Sequence, residues 1–302
     1  MAFTSRWRGS ASMPIYEKIW VLAKSLFLLV FYNIIGRLKY GRNQSSNQRN
    51  DVVVSLTTYG RRLSGVHLTV RSLLRQSVRP STIYLWLYQG DIPAKGVPSE
   101  LKKLEKKGLR IRVIDENLRS YKKIVHTFEL LESTGWRFFV TADDDVYYPK
   151  FWLERLLENA ASDPNSVWCY RGHIIEFRNN GELKTYRDWA LADRRGVFGN
   201  NLLPVGVSGI CYPIESLKGV NDRESFMSLA PTADDLWLKC VTTSNGYSAR
   251  LVTDQSIHFV PVVTSLRPPE KGLERVNVLE DGNTKTLTLL MKHFGFGPED
   301  FV

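Results

Sequence analysis

Asp51-Val-Val-Val-Ser-Leu56, the loop Thr57-Thr-Tyr-Gly-Arg-Arg62 and the run Thr82-Ile-Tyr-Leu-Trp-Leu87 decide how this chain folds. The first run is short, apolar and rich in β-branched residues, as suits a strand buried on both faces of a parallel sheet. Between the two runs Val66, Val70, Leu73 and Leu74 recur at helical spacing through Gln76, and Pro80 closes that helix. The three pieces predict a β-α-β unit. Working outward, residues 101–107 read as a charged surface helix and Leu109–Ile114 as a half-buried strand. Lys122–Leu131 then reads as a helix and Phe138–Thr141 as a further strand. This alternation predicts an α/β fold with a mainly parallel, Rossmann-like central sheet, whose ligand crevice lies beyond the carboxyl ends of the strands. Residues 57–62, 88–91 and 143–145 all fall at such ends, so one crevice is expected to hold all three.

The last of these ends is unusual. Arg137-Phe-Phe-Val-Thr-Ala142 runs into Asp143-Asp144-Asp145, followed by Val146-Tyr-Tyr-Pro149. Packing like charges at a strand end costs on the order of several kcal/mol unless a cation compensates them. A divalent ion is the simplest such cation, and Mg2+ or Mn2+ suits carboxylate oxygens while keeping positions open for phosphate. The plain alternative is a solvated acidic turn capping a helix from Pro149, but such a turn needs one Asp and not three. A second acidic pair lies in Pro231-Thr-Ala-Asp-Asp-Leu-Trp237. Here Thr232 and Asp235 have the spacing of a variant capping box, so helix capping competes with chemistry.

Val53-Val-Ser-Leu-Thr57, Leu68-Thr-Val-Arg-Ser-Leu-Leu-Arg-Gln-Ser77, Arg79-Pro80 and the strand to Leu87 resemble the opening of family 2-like glycosyltransferases of the GT-A fold. Thr141-Ala-Asp-Asp-Asp145 resembles that family's DXD motif, and the likeness spans residues 51–260. It is nearest to bacterial enzymes that build surface polysaccharide at the cytoplasmic face of the cell membrane. The resemblance implies a nucleotide-sugar donor, most commonly UDP-linked, and a lipid-linked or glycan acceptor. It places Asp143 and Asp144 toward the ribose and sugar, with Asp145 on the Mn2+ or Mg2+ that bridges the diphosphate. It also places Thr57, Tyr59 and Arg62 in the base pocket. The family's usual acidic turn after the second strand is replaced by Tyr88-Gln-Gly-Asp91, leaving Asp91 as the candidate for that turn's work. Asp235 is implied as the base of an inverting transfer, with Asp234 beside it.

Three further features are implied near the crevice, each with a plain alternative. Val205-Gly-Val-Ser-Gly-Ile-Cys-Tyr-Pro213 supplies Gly206, Ser208 and Gly209, in the family a turn that touches donor sugar or acceptor, otherwise a tight turn between strands. Lys122 and Lys123 start a helix near the crevice, where one could meet phosphate or both could be solvated. His258, in Ser256-Ile-His-Phe259 at a strand end, is either a further metal ligand or a core histidine.

The chain has 302 residues and a formal net charge of +10. Residues 1–50 carry Arg6, Arg8, Lys18, Lys24, Arg37, Lys39, Arg42 and Arg49 against Glu17 alone, a net charge of +7. The basic excess thus belongs to this segment and not to a nucleic-acid-binding face. Its core, Ile15-Tyr-Glu-Lys-Ile-Trp-Val-Leu-Ala-Lys-Ser-Leu-Phe-Leu-Leu-Val-Phe-Tyr-Asn-Ile-Ile35, approaches a bilayer span in length but contains three charges. An interfacial helix on an anionic membrane surface, with Tyr16, Trp20 and Tyr32 at headgroup level, fits the basic flanks, and a single span stays open. Residues 41–50 read as a polar linker. Cys169, Cys211 and Cys240 are too scattered for disulfides or a zinc site, and the sequon at Asn43 is discounted.

The expected organisation is a membrane-associating segment at 1–50, a GT-A domain at 51–264 and a C-terminal helical extension at 265–302 with a helix over 284–294. The Gln-x-x-Arg-Trp signature of processive synthases is missing, so one sugar per encounter is expected. A metal-dependent nucleotidyl or phosphoryl transferase, or a non-catalytic membrane-bound binding protein, are the alternatives. The P-loop pattern is missing too, which counts against ATPase versions of the first.

Overall fold

The computed structural model describes residues 14–35, 48–131, 135–193, 198–266 and 281–301. In chain order the first half contains α1 (Ile15–Ile35), β1 (Gln48–Thr57), α2 (Val66–Leu73), β2 (Arg79–Tyr88), α3 (Ser99–Glu105), β3 (Leu109–Ile114), α4 (Lys122–Leu131) and β4 (Phe138–Thr141). The second half adds α5 (Trp152–Ser162), β5 (Ser166–Cys169), β6 (Gly172–Ile174), β7 (Phe198–Gly199), β8 (Leu202–Pro204), β9 (Ile210–Pro213), α6 (Arg223–Leu229), α7 (Asp234–Ser244), β10 (Ser248–Leu251) and α8 (Gly282–Phe294).

Eight strands form the central sheet in the order β3-β2-β1-β4-β9-β5-β10-β7, and β6 pairs with β8 in a small second sheet. The pairs β1-β2, β2-β3, β1-β4 and β5-β10 are parallel. β9 runs against both β4 and β5, and β7 against β10. Reversing β9 between β4 and β5 leaves those two pointing the same way, so their carboxyl ends open on one edge. The mainly parallel, Rossmann-like α/β architecture expected from the alternation is therefore present. The central strands are buried on both faces, Val52, Val53, Val54 and Leu56 among them, which is why they read as continuous apolar runs.

Several boundaries differ from expectation. α2 stops at Leu73, and Pro80 lies inside β2 opposite Arg49 instead of closing the helix. A proline near the start of a strand leaves few ladder bonds unmade. Residues 48–50, expected as linker, begin β1, while 41–47 lie outside the described residues, as do Arg6, Arg8, Arg37, Lys39, Arg42 and Asn43. α3 and α8 each start two residues early, α5 starts at Trp152, and residues 267–280 of the expected extension are outside the described set. His258 is not at the end of a regular strand; it follows β10 in an irregular segment.

The first helix is packed onto the domain. Val21, Ser25 and Tyr32 are buried, Ser25 Oγ donates to Pro261 O at 2.8 Å, and Arg71 Nη1 donates to Asn33 Oδ1 at 2.6 Å. Tyr32 stacks on Tyr147 with ring centroids 5.3 Å apart, and these rings join Leu68 and Val262 in a small core of their own. Tyr32 is therefore not an interfacial ring as expected, because the domain offers it a complete apolar seat. On the far side Ile19, Leu22, Leu26, Phe27, Val30 and Ile34 are exposed. At 100° per residue, Glu17 and Lys24 fall on one flank of the docked stripe and Lys18 within its span, one turn before the first docked residues, which leaves the outward arc without charge. Among the described residues no helix is long and apolar enough to cross a membrane.

Gly209 shows how tightly the crevice edge is packed. Its φ is +87°, and a Cβ there would lie 2.4 Å from Trp152 Cζ2, a fully buried ring whose Nε1 donates to Ser208 O at 2.8 Å. Gly209→Ala is expected to destabilise the fold by roughly 2–3 kcal/mol through overpacking and backbone strain, read as a lowered urea midpoint with unchanged slope.

Candidate active site

The three acids emerge from β4 beside the end of β1 and are held from several directions. Asp143 N donates to Tyr148 Oη at 2.8 Å, Thr69 Oγ1 donates to Asp144 O at 2.9 Å, and Val262 N donates to Asp145 O at 2.7 Å. Their carboxylates face cations from neighbouring elements. Arg62 Nη1 lies 2.9 Å from Asp144 Oδ1 and 3.1 Å from Asp145 Oδ2, and Thr58 Oγ1 donates to Asp144 Oδ2. Lys123 Nζ lies 2.7 Å from Asp143 Oδ1 and 3.5 Å from Asp234 Oδ2. That ammonium is buried, and its helix start is fixed by the sheet, because Ser55 Oγ donates to Lys123 O at 2.6 Å.

The acidic pair meets the same ammonium from the other side. Asp234 and Asp235 open α7, but its N-cap is Ala233 and no side chain caps the helix there. The capping-box alternative is therefore not what the chain builds. Asp235 Oδ2 instead accepts Gly206 N–H at 3.2 Å. Any side chain at Gly206 would intrude, since a Cβ would sit 3.1 Å from Asp235 Oδ1 and 3.7 Å from Asp143 Oδ1. Asp143, Asp234, Asp235, Lys123 and Gly206 thus form one cluster.

Crowding acids in low dielectric has the expected electrostatic effect. Burial pushes the Asp235 carboxyl up to about 8, with Asp234 adding to it. Burial and then Asp144 push Asp145 up to about 7, and burial raises Asp144 despite Arg62. Burial also acts on Asp143, but Lys123 outweighs it and holds that carboxyl below the usual range. Lys123 is itself held firmly charged, burial being outweighed by Asp143, Asp234 and Asp235.

The other expected site residues are placed as follows. Thr57 Oγ1 donates to Trp86 O at 2.9 Å, and Tyr59 is exposed at the crevice mouth with Arg62 5.6 Å from its ring. Asp91 pairs at 3.6 Å with Lys122, which also lies 5.8 Å from the Tyr88 ring. Ser208 Oγ donates to Ile257 O at 2.6 Å, so Ser208 and Gly209 work in packing. His258 is buried, its Nδ1 2.7 Å from Phe259 O, and burial followed by the Arg171 charge pushes it down to about 4.

Among the described residues no group of three or more His, Cys, Asp or Glu side chains is assembled as a metal cage. One donor nevertheless suits a hard cation. Asp145 Oδ1 is buried without a hydrogen-bond partner among the described residues, while Asp144 has both oxygens engaged.

Beside Asp235 a small recess, partly open to solvent, is lined by Tyr186, Leu203, Thr232, Asp234 and Asn283. Tyr186 is braced by rings at 5.2 Å (His173) and 5.1 Å (Trp189), and its backbone N–H donates to Thr284 Oγ1 at 2.8 Å. Sequence reasoning missed Thr58, Tyr148, Tyr186 and Asn283. Thr58 lay inside a loop already marked, but nothing local flags the others. Comparison with known proteins adds no relative: no family model matches the chain, and no curated protein matches it.

Asp145 and Asp235 retain protons in the folded chain to about 7 and about 8, against roughly 3.9 when unfolded. Between those limits the native state binds more protons, so their contribution to stability is full below about pH 4 and lost as pH rises through 7 to 8. Asp235→Asn is expected to remove part of this loss, raising the urea midpoint relative to the parent by more at pH 9 than at pH 5.

Proposed function

We propose that the chain is a glycosyltransferase of GT-A type. It moves one sugar from a nucleotide-diphosphate donor, of which UDP is the first choice, to a lipid-linked or polysaccharide acceptor, with inversion, in cell-surface polysaccharide synthesis. One observation carries this reading: Lys123 ties the acid-ended strand to the acidic pair, so a donor-type and a base-type carboxylate cluster share one crevice. The resemblance at 51–260 supports the same assignment.

In this reading Asp143 and Asp144 orient ribose and sugar, and Thr57, Tyr59, Arg62 and Asp91 border the nucleoside. The acceptor enters the recess, where Tyr186 offers a ring face and Asn283 an amide to its hydroxyls. The reacting hydroxyl gives its proton to Asp235 as its oxygen bonds to the anomeric carbon and the bond to the diphosphate breaks. A carboxylate pushed up to about 8 is a far stronger base than an ordinary one, and Lys123 stabilises the charge around it. A Mn2+ or Mg2+ ion held through Asp145 would neutralise charge on the departing diphosphate.

On the full chain, calorimetry is expected to show UDP binding that depends on manganese and is lost in Asp145→Ala. Asp235→Asn is expected to lower kcat by about 10²–10⁴ with little change in donor KM, and NMR of the product should show inverted configuration. Retained configuration rules out Asp235 as the base, and turnover of a nucleoside triphosphate in place of a nucleotide sugar moves the assignment to nucleotidyl transfer.

The same reading places α1 on the cytoplasmic face of the membrane as a peripheral element. Its charge-free arc enters the acyl boundary and Lys18 and Lys24 lie at headgroup depth. Phe27→Asp with Val30→Asp is expected to abolish flotation with vesicles containing phosphatidylglycerol while UDP binding is kept. Flotation unchanged by both substitutions defeats this placement.

A further inference from the structure

Among the described residues, Arg171 is an arginine of this region with no carboxylate beside it. Arg171 lies two residues beyond β5, which points the same way as β4, so it leaves the sheet on the edge that carries Asp143. Its backbone is clamped on both sides. Val205 N donates to Arg171 O at 2.9 Å, and Ile257 N donates to Tyr170 O at 2.7 Å, which sets the residue between the Gly206 turn and His258.

The side chain makes no hydrogen bond or ion pair with the described residues, and Nη1 is shut off from solvent without a partner. The three cations that face the acids each have a carboxylate: Arg62 has Asp144 and Asp145, Lys123 has Asp143, and Lys122 has Asp91. The groups that feel the Arg171 charge are Tyr186, His173 and His258. None of them carries negative charge near neutrality. Burial, followed by the Arg171 charge, pushes both imidazoles down to about 4, and burial raises the Tyr186 phenol to about 12.

A guanidinium does not shed its proton to escape desolvation as a lysine does. A guanidinium held next to Tyr186, a ring that lines the recess, with one nitrogen shut off from solvent and no anion of the described residues beside it, is a charge suited to a partner that arrives from outside. We propose that Arg171 is the receptor for a phosphoryl group of a substrate, its planar fork pairing two phosphate oxygens. Two sources share that chemistry. The diphosphate of the donor would approach past Gly206, and the phosphate of a lipid-linked acceptor would approach past Tyr186. The identity of the source rests on the transferase reading, whereas the phosphoryl site does not.

The test uses the full chain, Arg171→Met and Arg171→Lys. The probes are inorganic pyrophosphate, UDP, uridine, and a polyprenyl phosphate carried in phosphatidylcholine vesicles. If the donor is the source, Arg171→Met weakens pyrophosphate and UDP at least about tenfold and spares uridine. If the acceptor is the source, it spares those three and removes the polyprenyl-phosphate-dependent gain in vesicle binding. Arg171→Lys recovers part of either loss, because a point charge remains without the fork. Without ligand, Arg171→Met should melt at the parental temperature or above it, since an uncompensated charge has been removed.

The proposal is overturned if the parent binds none of the phosphate probes or if Arg171→Met binds them all as tightly. A clear fall in the ligand-free melting temperature overturns it too, because that marks a structural arginine. Pyrophosphate binding that depends on Arg171 in a chain that consumes no nucleotide sugar leaves the site standing and removes the transferase reading.

Discussion

Five carboxylates, those of Asp143, Asp144, Asp145, Asp234 and Asp235, share two cations, and the buried ammonium of Lys123 is the one on which the rest depends. Without it the acid-ended strand and the acidic start of α7 would repel each other across the crevice. Its position is fixed from below by Ser55 on β1 and its charge by the acids themselves. The excess of acids over cations is settled by protonation, which is why Asp145 and Asp235 sit so far above ordinary carboxylates. Groups poised near neutral pH by crowding, beside an Asp145 oxygen without a partner among the described residues, are the features on which the proposed transferase reading draws.

Much of the framework was legible before any coordinates. β1, α4 and β4 announce themselves by composition and period, because a parallel strand buried on both faces must be apolar throughout and an amphipathic helix must repeat. The acid triplet was legible for the same physical reason, since nothing in strand packing calls for it. What stayed hidden depends on residues distant in sequence. The reversal of β9, which lines up the ends of β4 and β5, is a pairing choice with no local signature. Tyr186 and Asn283 meet Asp235 only because α8 returns to the start of α7. Arg171 follows a four-residue strand in no pattern, and what marks it is a buried guanidinium nitrogen without a partner among the described residues, which only a fold can reveal.

The two acidic segments also show how an ambiguous motif resolves. Thr232 and Asp235 have the spacing of a cap, yet the helix begins at Asp234 with Ala233 before it. Asp235 turns away from its own helix to the Gly206 backbone. The acid at the helix start thus makes a contact across the crevice. Glycine at 206 is what makes the approach possible, whereas glycine at 209, three residues on, answers to the bulk of Trp152.

The stack of Tyr32 on Tyr147 bears on how the protein can be handled. Tyr147 is two residues from Asp145, and the segment seated against α1, from Val260 to Val262, supplies both the backbone that holds Asp145 and the seat for Ser25. Cutting the chain before residue 48 to make it more tractable would strip one layer from this small core and leave Leu68, Tyr147 and Val262 facing water. The shortened protein would exchange the exposed apolar arc of α1 for a raw apolar scar beneath its own acidic turn. Keeping the intact chain and masking the exposed arc of α1 with mild detergent is therefore the gentler route to a well-ordered sample.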